Sequence, residues 1–442
     1  MMNCEFLIYR SFPDGREGLL HEAAGLICEY ESGAMEEVLA GGVHGRPGEG
    51  PAGRFYAWIH GLLELAGNYG FHGNLWHCYL THLLVSHENS YSRGCEMRGE
   101  ITGSINQAVS HDLALFQAFF KYDFHPLCRR LGVTEFNLIE HYEGNPLESR
   151  VYNARICARI CELAGKLAES TTLDEIKGIL TRFYGDYGVG KLGLHKSFRI
   201  AHSEKGVEIE PILNITHVKL DDLVGYELQK KKLIDNTEAF VQGRKANNCL
   251  LFGDAGTGKS SSIKAIANEY YEKGLRVIEV YKHQFQDLHQ VISQIKGRNY
   301  KFIIFMDDLS FEDFEIEYKY LKAVIEGGLE KKPENVLIYA TSNRRHLIRE
   351  NYGDREEIRQ DMHTGDTVQE KLSLVYRFGV TIYFGAPDKK QFQSIVEALA
   401  KRYGLTLPGE ELLAEANRWE LAHGGLSGRT AQQFIDYLAG RG

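Results

Sequence analysis

Asn248-Cys249-Leu250-Leu251-Phe252-Gly253-Asp254-Ala255-Gly256-Thr257-Gly258-Lys259-Ser260 is the stretch on which the reading of this chain turns. Cys249 to Phe252 is a short apolar run of the kind that forms a fully buried parallel strand. Gly253 to Ser260 then fits G-x-x-x-x-G-K-[ST], and Ser261 to Tyr271 continues in residues that can run as a helix. Strand, glycine loop and helix N-terminus in that order turn the pattern into a site. The glycines let successive backbone N–H groups point at a phosphate, where a Cβ would intrude. Lys259 is placed to meet the β- and γ-phosphates of a nucleoside triphosphate, and Ser260 to offer its hydroxyl to Mg²⁺.

Outward from this stretch, buried strands alternate with helices. Strands are expected at Arg276 to Tyr281, Lys301 to Met306, Val336 to Thr341 and Val380 to Phe384. Helices are expected at Glu227 to Gln242, Gln284 to Lys296 and Glu315 to Leu329. Such alternation means a parallel sheet with helices on both faces. A polar stretch, Arg344 to Glu370, interrupts it, and Lys389 to Arg441 reads as helices alone. Phe302 to Met306 delivers Asp307 and Asp308 at the C-terminal edge of its strand, where open α/β sheets bind ligands. Asp307 is expected to hold Mg²⁺, and Asp308 to orient or deprotonate an attacking water.

With 442 residues, 43% hydrophobic and 25% charged, the composition is that of an ordinary globular protein of two or three domains. No apolar run approaches the ~18 residues a membrane helix requires. Met1 to Phe12 does not read as a signal peptide, so a cytoplasmic location and no membrane partner are expected. The eight cysteines are scattered without a C-x-x-C pair, which favours buried thiols over a disulfide frame. Nearly all of the net charge of −9 falls in residues 1–195, and neither half carries the basic footprint of a nucleic-acid binder.

Residues 1–195 read as mainly helical, with Arg54 to Tyr69, Gly73 to His87, Ile105 to Phe120 and Val151 to Leu167 at helical spacing and Gly41 to Gly53 as a loop. In the run His72, His77, Cys78, His82 and His87, Cys78 and His82 could share a helix face as zinc ligands do. Trp76, Leu80, Leu83 and Leu84 on the same helix make a core or surface helix the simpler account. Gly188 to Gly193 matches G-x-G-x-x-G but lacks the strand before it, and reads as a turn closing the helical domain. Phe198 to Ile215 is expected to form a strand or a hairpin, with Glu204-Lys205-Gly206 as its turn, linking the two parts.

From about Leu220 to the C-terminus the chain resembles an AAA+ ATPase module. Leu220-Asp221-Asp222-Leu223-Val224-Gly225 is similar to the segment before the P-loop in that superfamily, which implies that Val224 and Gly225 contact adenine. Gly253 to Ser260 matches Walker A, implying that Gly253, Asp254, Ala255, Gly256, Thr257, Gly258, Lys259, Ser260 and Ser261 cradle the nucleotide. Phe302 to Asp308 matches Walker B. Ala340 to Asn343 matches the sensor-one position, so Asn343 would align the water. Tyr376-Arg377-Phe378-Gly379 resembles the arginine-finger motif, implying that Arg377 reaches the γ-phosphate of a neighbouring subunit; Arg344 and Arg345 are the runners-up. Gly425 to Arg429 resembles the sensor-two motif, implying a phosphate contact from Arg429. Asp308 departs from the pattern, because most members carry Glu there and Asp is one methylene shorter; some initiator-type members also carry Asp.

The whole layout resembles an uncharacterised bacterial AAA+ family with a helical N-terminal region. The expected architecture is an α/β P-loop AAA+ parallel-sheet core (220–386) with a helical C-terminal lid (387–442), preceded by a mainly α-helical domain (1–195) and a linker or strand segment (196–219). The resemblance implies ATP and Mg²⁺ as cofactors, hydrolysis of ATP and a homo-oligomer. Remodelling or assembly of a protein partner is the leading expectation. The alternatives are a slow-turnover signalling or defence switch and a nucleic-acid-handling loader or initiator.

Overall fold

The structure is a computed structural model that describes residues 5–10, 12, 18–35, 50–144, 149–204, 206–213, 218–311, 315–326, 333–344, 347 and 374–441. The chain divides into two compact units, Met1–His195 and Lys196–Gly442.

The first unit is helical among its described residues: α1 (Gly18–Glu31), α2 (Pro51–Tyr69), α3 (Leu75–Ser86), α4 (Ser90–Arg98), α5 (Ile105–Lys121), α6 (His125–Leu131), α7 (Phe136–Glu140), α8 (Ala154–Glu169), α9 (Leu173–Tyr187) and α10 (Gly190–Leu194). The expected loop from Gly41 ends earlier than its composition suggested. Pro51 opens α2, where its missing N–H costs nothing and its fixed φ suits the first helical turn; residues 41–49 lie outside the described residues. Side chains set the other starts. Asn74 caps α3, and capping boxes formed by Asn89 with Ser92 and by Thr172 with Glu175 open α4 and α9.

Helix α3 is buried along almost its whole length, which answers the question its histidines raised. His82 accepts or donates at Tyr152 Oη (3.1 Å), His77 Nε2 meets Phe120 O (3.0 Å), and His87 Nε2 meets Arg10 O (2.7 Å). Cys78 and His82 are therefore not a ligand pair, because His82 is taken up in the core. The buried carboxylate of Asp112 on α5 accepts backbone N–H bonds from Leu7 (2.8 Å), Ile8 (2.7 Å) and Tyr9 (2.9 Å). Gly188 ends α9 and Gly190 opens α10, so the glycine-rich stretch is a helix-to-helix turn with no strand before it.

The second unit holds a seven-stranded sheet in the order β2-β1-β4-β5-β6-β3-β7. Its strands are β1 (Ser197–Ser203), β2 (Gly206–Pro211), β3 (Cys249–Gly253), β4 (Leu275–Glu279), β5 (Lys301–Met306), β6 (Val336–Ser342) and β7 (Val380–Phe384). All pairings are parallel except the β1–β2 hairpin. That hairpin forms where it was expected, but it is more than a linker. β1 pairs in parallel with β4, Phe198 against Ile278, and extends the sheet.

Around the sheet run α11 (Glu227–Val241), α12 (Lys259–Tyr270), α13 (Leu288–Ile295) and α14 (Glu317–Glu326). The first part of the expected helix from Gln284 is instead a 3₁₀ turn, Lys282–Asp287. Helix α11 is tied to the buried middle of the sheet through Tyr339, whose hydroxyl meets Asn236 Nδ2 (3.0 Å) and Thr237 Oγ1 (2.9 Å). The C-terminal helices α15 (Lys389–Arg402), α16 (Gly409–Ala422) and α17 (Gly428–Ala439) form their own small core around Phe392, Val396 and Phe434. No helix is long and apolar enough to cross a membrane among the described residues.

Candidate functional site

The cleft forms at the carboxyl ends of β3, β5 and β6, the position where parallel sheets present loops to ligands. β3 ends at Gly253 with φ of +134°, and a Cβ there would lie 2.1 Å from Phe384 O. Only glycine lets β7 run this close. The turn that follows is stitched by Asp254 N to Phe384 O (2.9 Å), Ala386 N to Asp254 Oδ2 (2.7 Å) and Thr257 Oγ1 to Asp254 O (2.8 Å). With the turn fixed from below, the N–H groups that open α12 lack intrahelical partners and face the cleft, as in anion sites built on helix N-termini.

Lys259, the first residue of α12, is 6% exposed. Its Nζ donates to Gly253 O (2.9 Å), Asp254 O (2.6 Å) and Asn343 Oδ1 (3.0 Å). Burial pulls its pKa below the ordinary lysine value and Arg429 pushes the same way, while Asp254, Asp308 and Asp307 oppose the shift.

The carboxylates after β5 take different roles. Asp307 Oδ1 accepts from both Ser260 Oγ (2.5 Å) and Thr341 Oγ1 (2.5 Å). The Ser260 hydroxyl and the Asp307 carboxylate thus stand side by side as two hard oxygen donors, the set that Mg²⁺ prefers. Asp308 lies at φ of +51°, in the left-handed region. Its N–H donates to Thr341 Oγ1 (2.9 Å) and its Oδ1 accepts from Asn343 Nδ2 (2.8 Å). Asn343 therefore joins Lys259 to Asp308.

Thr341 was not singled out in the sequence. Its hydroxyl donates to the Asp307 carboxylate and accepts from the Asp308 backbone N–H, so it links the side chain of one aspartate to the main chain of the next. The available signal was a hydroxyl at the end of a strand, β6, whose residues are all buried.

The lid helices close one side. Ser427 caps α17, Arg429 N donates to Gly256 O (3.2 Å), and a Cβ on Gly256 would lie 3.0 Å from both Arg429 Cβ and Ser427 Oγ. The resulting cleft, about 680 Å³, is apolar at Leu223, Val224, Ile395 and Leu399 and polar at the glycine loop, Asp307, Asp308, Asn343 and Arg429. Ala255, Gly256, Thr257, Gly258, Lys259, Ser260 and Ser261 all line it. Gly225 does not; it supplies the turn beside Val224, while Gly253 and Asp254 lie beneath the loop as its supports.

Arg377 is not among the cleft residues. It lies in the turn before β7 and pairs with Glu326 at the end of α14. Arg344 is exposed beyond β6 and outside the cleft lining, and Arg345 and 348–373 lie outside the described residues.

A mostly parallel sheet with a phosphate loop after β3, paired aspartates after β5, an asparagine after β6 and a helical lid defines an AAA+ P-loop module. The chain belongs to the family described as "Protein of unknown function (DUF815)", whose profile matches residues 194–442. A segment of 77 residues is 35% identical to the replication factor C large subunit of Staphylothermus marinus, covering 16% of this chain and 18% of that protein. A segment of 78 residues is 37% identical to the corresponding subunit of Methanococcus vannielii, covering 18% and 15%. The chain thus spans less than a fifth of either relative's length. Among solved structures, the Thermotoga maritima RuvB Holliday junction branch migration motor is 14% identical over 50% of this chain and 72% of its own, with a TM-score of 0.32. The FIGL-1 AAA domain in complex with ADP is 17% identical over 51% and 74%, with a TM-score of 0.35.

Proposed function

We propose that the chain is an ATP- and Mg²⁺-dependent ATPase that self-associates and couples its nucleotide state to remodelling or assembly of a protein partner. The observation that carries this reading is the continuous set of contacts from Ser260 through Asp307 and Thr341 to Asp308, Asn343 and Lys259. On binding ATP, Lys259 exchanges the carbonyls of its own loop for phosphate oxygens, and Arg429 approaches the same phosphates from the lid. Val224 and Leu223 pack the base on the apolar side. Mg²⁺ held by Ser260 and Asp307 would neutralise charge on the β- and γ-phosphates. Asp308 orients the attacking water and receives its proton, with Asn343 fixing the carboxylate. Arg377 completes a neighbouring subunit's site, exchanging Glu326 for that subunit's γ-phosphate. The acidic surplus of residues 1–195 supports a protein partner over nucleic acid.

Three substitutions test this. Lys259→Ala is expected to abolish ATP binding. Asp308→Asn is expected to bind ATP without cleaving it and to retain partners in a pull-down. Arg377→Ala is expected to bind ATP but lose on the order of 10³–10⁵ in turnover. Mixing Arg377→Ala with Lys259→Ala restores part of the rate if the finger acts between subunits. Unaltered ATP affinity in Lys259→Ala would sink the reading.

A second reading, a slow-turnover switch whose ATP state assembles a signalling complex, is favoured by the short Asp308 carboxylate. ATP-driven assembly with negligible hydrolysis is its signature. DNA-stimulated turnover is that of a loader or initiator.

A further inference from the structure

Far from the nucleotide loop in sequence, the helical unit gathers four metal-type donors. His72 lies in the turn between α2 and α3, Cys78 in the first turn of α3, and Cys157 and Cys161 one turn apart on α8. Cys161 Sγ is 3.6 Å from Cys78 Sγ, 4.0 Å from Cys157 Sγ and 3.7 Å from His72 Nδ1, and Cys157 Sγ is 4.0 Å from His72 Nδ1. The donor atoms of His72, Cys157 and Cys161 all lie within 4.8 Å of one another.

We propose that His72, Cys157 and Cys161 hold a single zinc ion that ties the α2–α3 turn to α8, with Cys78, whose thiol donates to His72 O (3.4 Å), standing beside the set against Cys161. Tetrahedral zinc with bonds of ~2.3 Å to sulfur and ~2.0 Å to nitrogen sets its thiolates about 3.8 Å apart and sulfur about 3.6 Å from nitrogen. The distances here cluster around those values. A disulfide would need sulfurs ~2.05 Å apart. An iron–sulfur cluster would spread them further, because several irons stand between its cysteines. Packing alone brings pairs of thiols into contact but has no reason to aim two sulfurs and an imidazole nitrogen at one place.

Asn74 caps α3 just ahead of Cys78. Gly73 and Tyr142 exchange both backbone hydrogen bonds (2.8 and 3.0 Å), which pins the segment carrying His72. His77, the other nearby imidazole, is occupied by Phe120 O. An open cleft of about 450 Å³ reaches His72, Cys78 and Cys161 past the small residues Ala158 and Gly165, and offers an ion its entry path.

The test uses the full chain purified under a thiol reductant. Elemental analysis is expected to find roughly one zinc per chain, and Cys157→Ser combined with Cys161→Ser to lose it while ATP binding at Lys259 persists. Because that variant can fail to fold, cobalt(II) loaded into the unaltered chain gives a second reading. Intense sulfur-to-cobalt charge-transfer bands and strong tetrahedral visible bands are expected. A chain that stays metal-free after incubation with zinc, a weak octahedral cobalt spectrum, or recovery of Cys78 and Cys161 as a disulfide would each overturn the assignment.

Discussion

Asp308 shows at the scale of one residue why this site departs from the commoner glutamate. At φ of +51° the backbone is in a region that Asp and Asn tolerate better than other side chains, and the short carboxylate is the right length for Asn343 Nδ2. Asp308→Glu, which restores the usual residue type, is therefore expected to cost about 1 kcal/mol. The melting temperature should fall by about 2–4 °C with no gain in turnover. Faster hydrolysis at an unchanged melting temperature would refute the idea. Lys259 carries a second prediction. Burial lowers its pKa in the free protein, and phosphate favours its charged form. At pH values between its pKa in the free protein and its higher pKa in the ATP complex, ATP binding should take up a proton, and below that window it should not. Calorimetry in buffers of different ionisation enthalpy reads this directly. The lysine's own motif was legible because its residues are contiguous. The part played by Thr341 and the left-handed backbone of Asp308 were not, since the contacts of both depend on β5 and β6 meeting.

At the scale of elements, the P-loop strand is held by contacts that a side chain on Gly253 would break. Gly253→Ala would force its Cβ against Phe384 O, and we expect β3 and β7 to part. A loss of more than about 2 kcal/mol in urea unfolding is the expected size, as for other strained backbone positions. Tyr339→Phe should cost about 1–3 kcal/mol, because Asn236 Nδ2 and Thr237 Oγ1 on α11 each lose a buried hydrogen bond and keep only those to Asn247 O and Leu233 O. The strands and helices of this unit were readable from their alternation. The docking of β1 beside β4 was not, because Phe198 and Ile278 are far apart in the chain and nothing local encodes their parallel pairing. The same limit hid the cysteine cluster. The helical spacing of Cys157 and Cys161 was visible, but only the packing of α8 on the α2–α3 region brings them to His72 and Cys161 to Cys78.

On the scale of the whole molecule, each unit has its own core, one around Trp58, Trp76 and Phe116 and another around Leu251, Ile303 and Tyr339. Scanning calorimetry is expected to show two transitions. ATP at a hundredfold excess over its dissociation constant should raise only one, by the equivalent of about 2.7 kcal/mol. A single transition that moves as a block with ATP would show that the units melt together.

The carboxylate of Asp112 gives the first unit a particular birth order. The backbone it fastens, Leu7 to Tyr9, leaves the ribosome more than a hundred residues before the side chain that receives it. At ~5–20 residues per second the Leu7–Tyr9 segment waits on the order of 5–20 s for this acceptor to be made. Docking of Leu7 to Tyr9 on that carboxylate therefore cannot precede synthesis of α5.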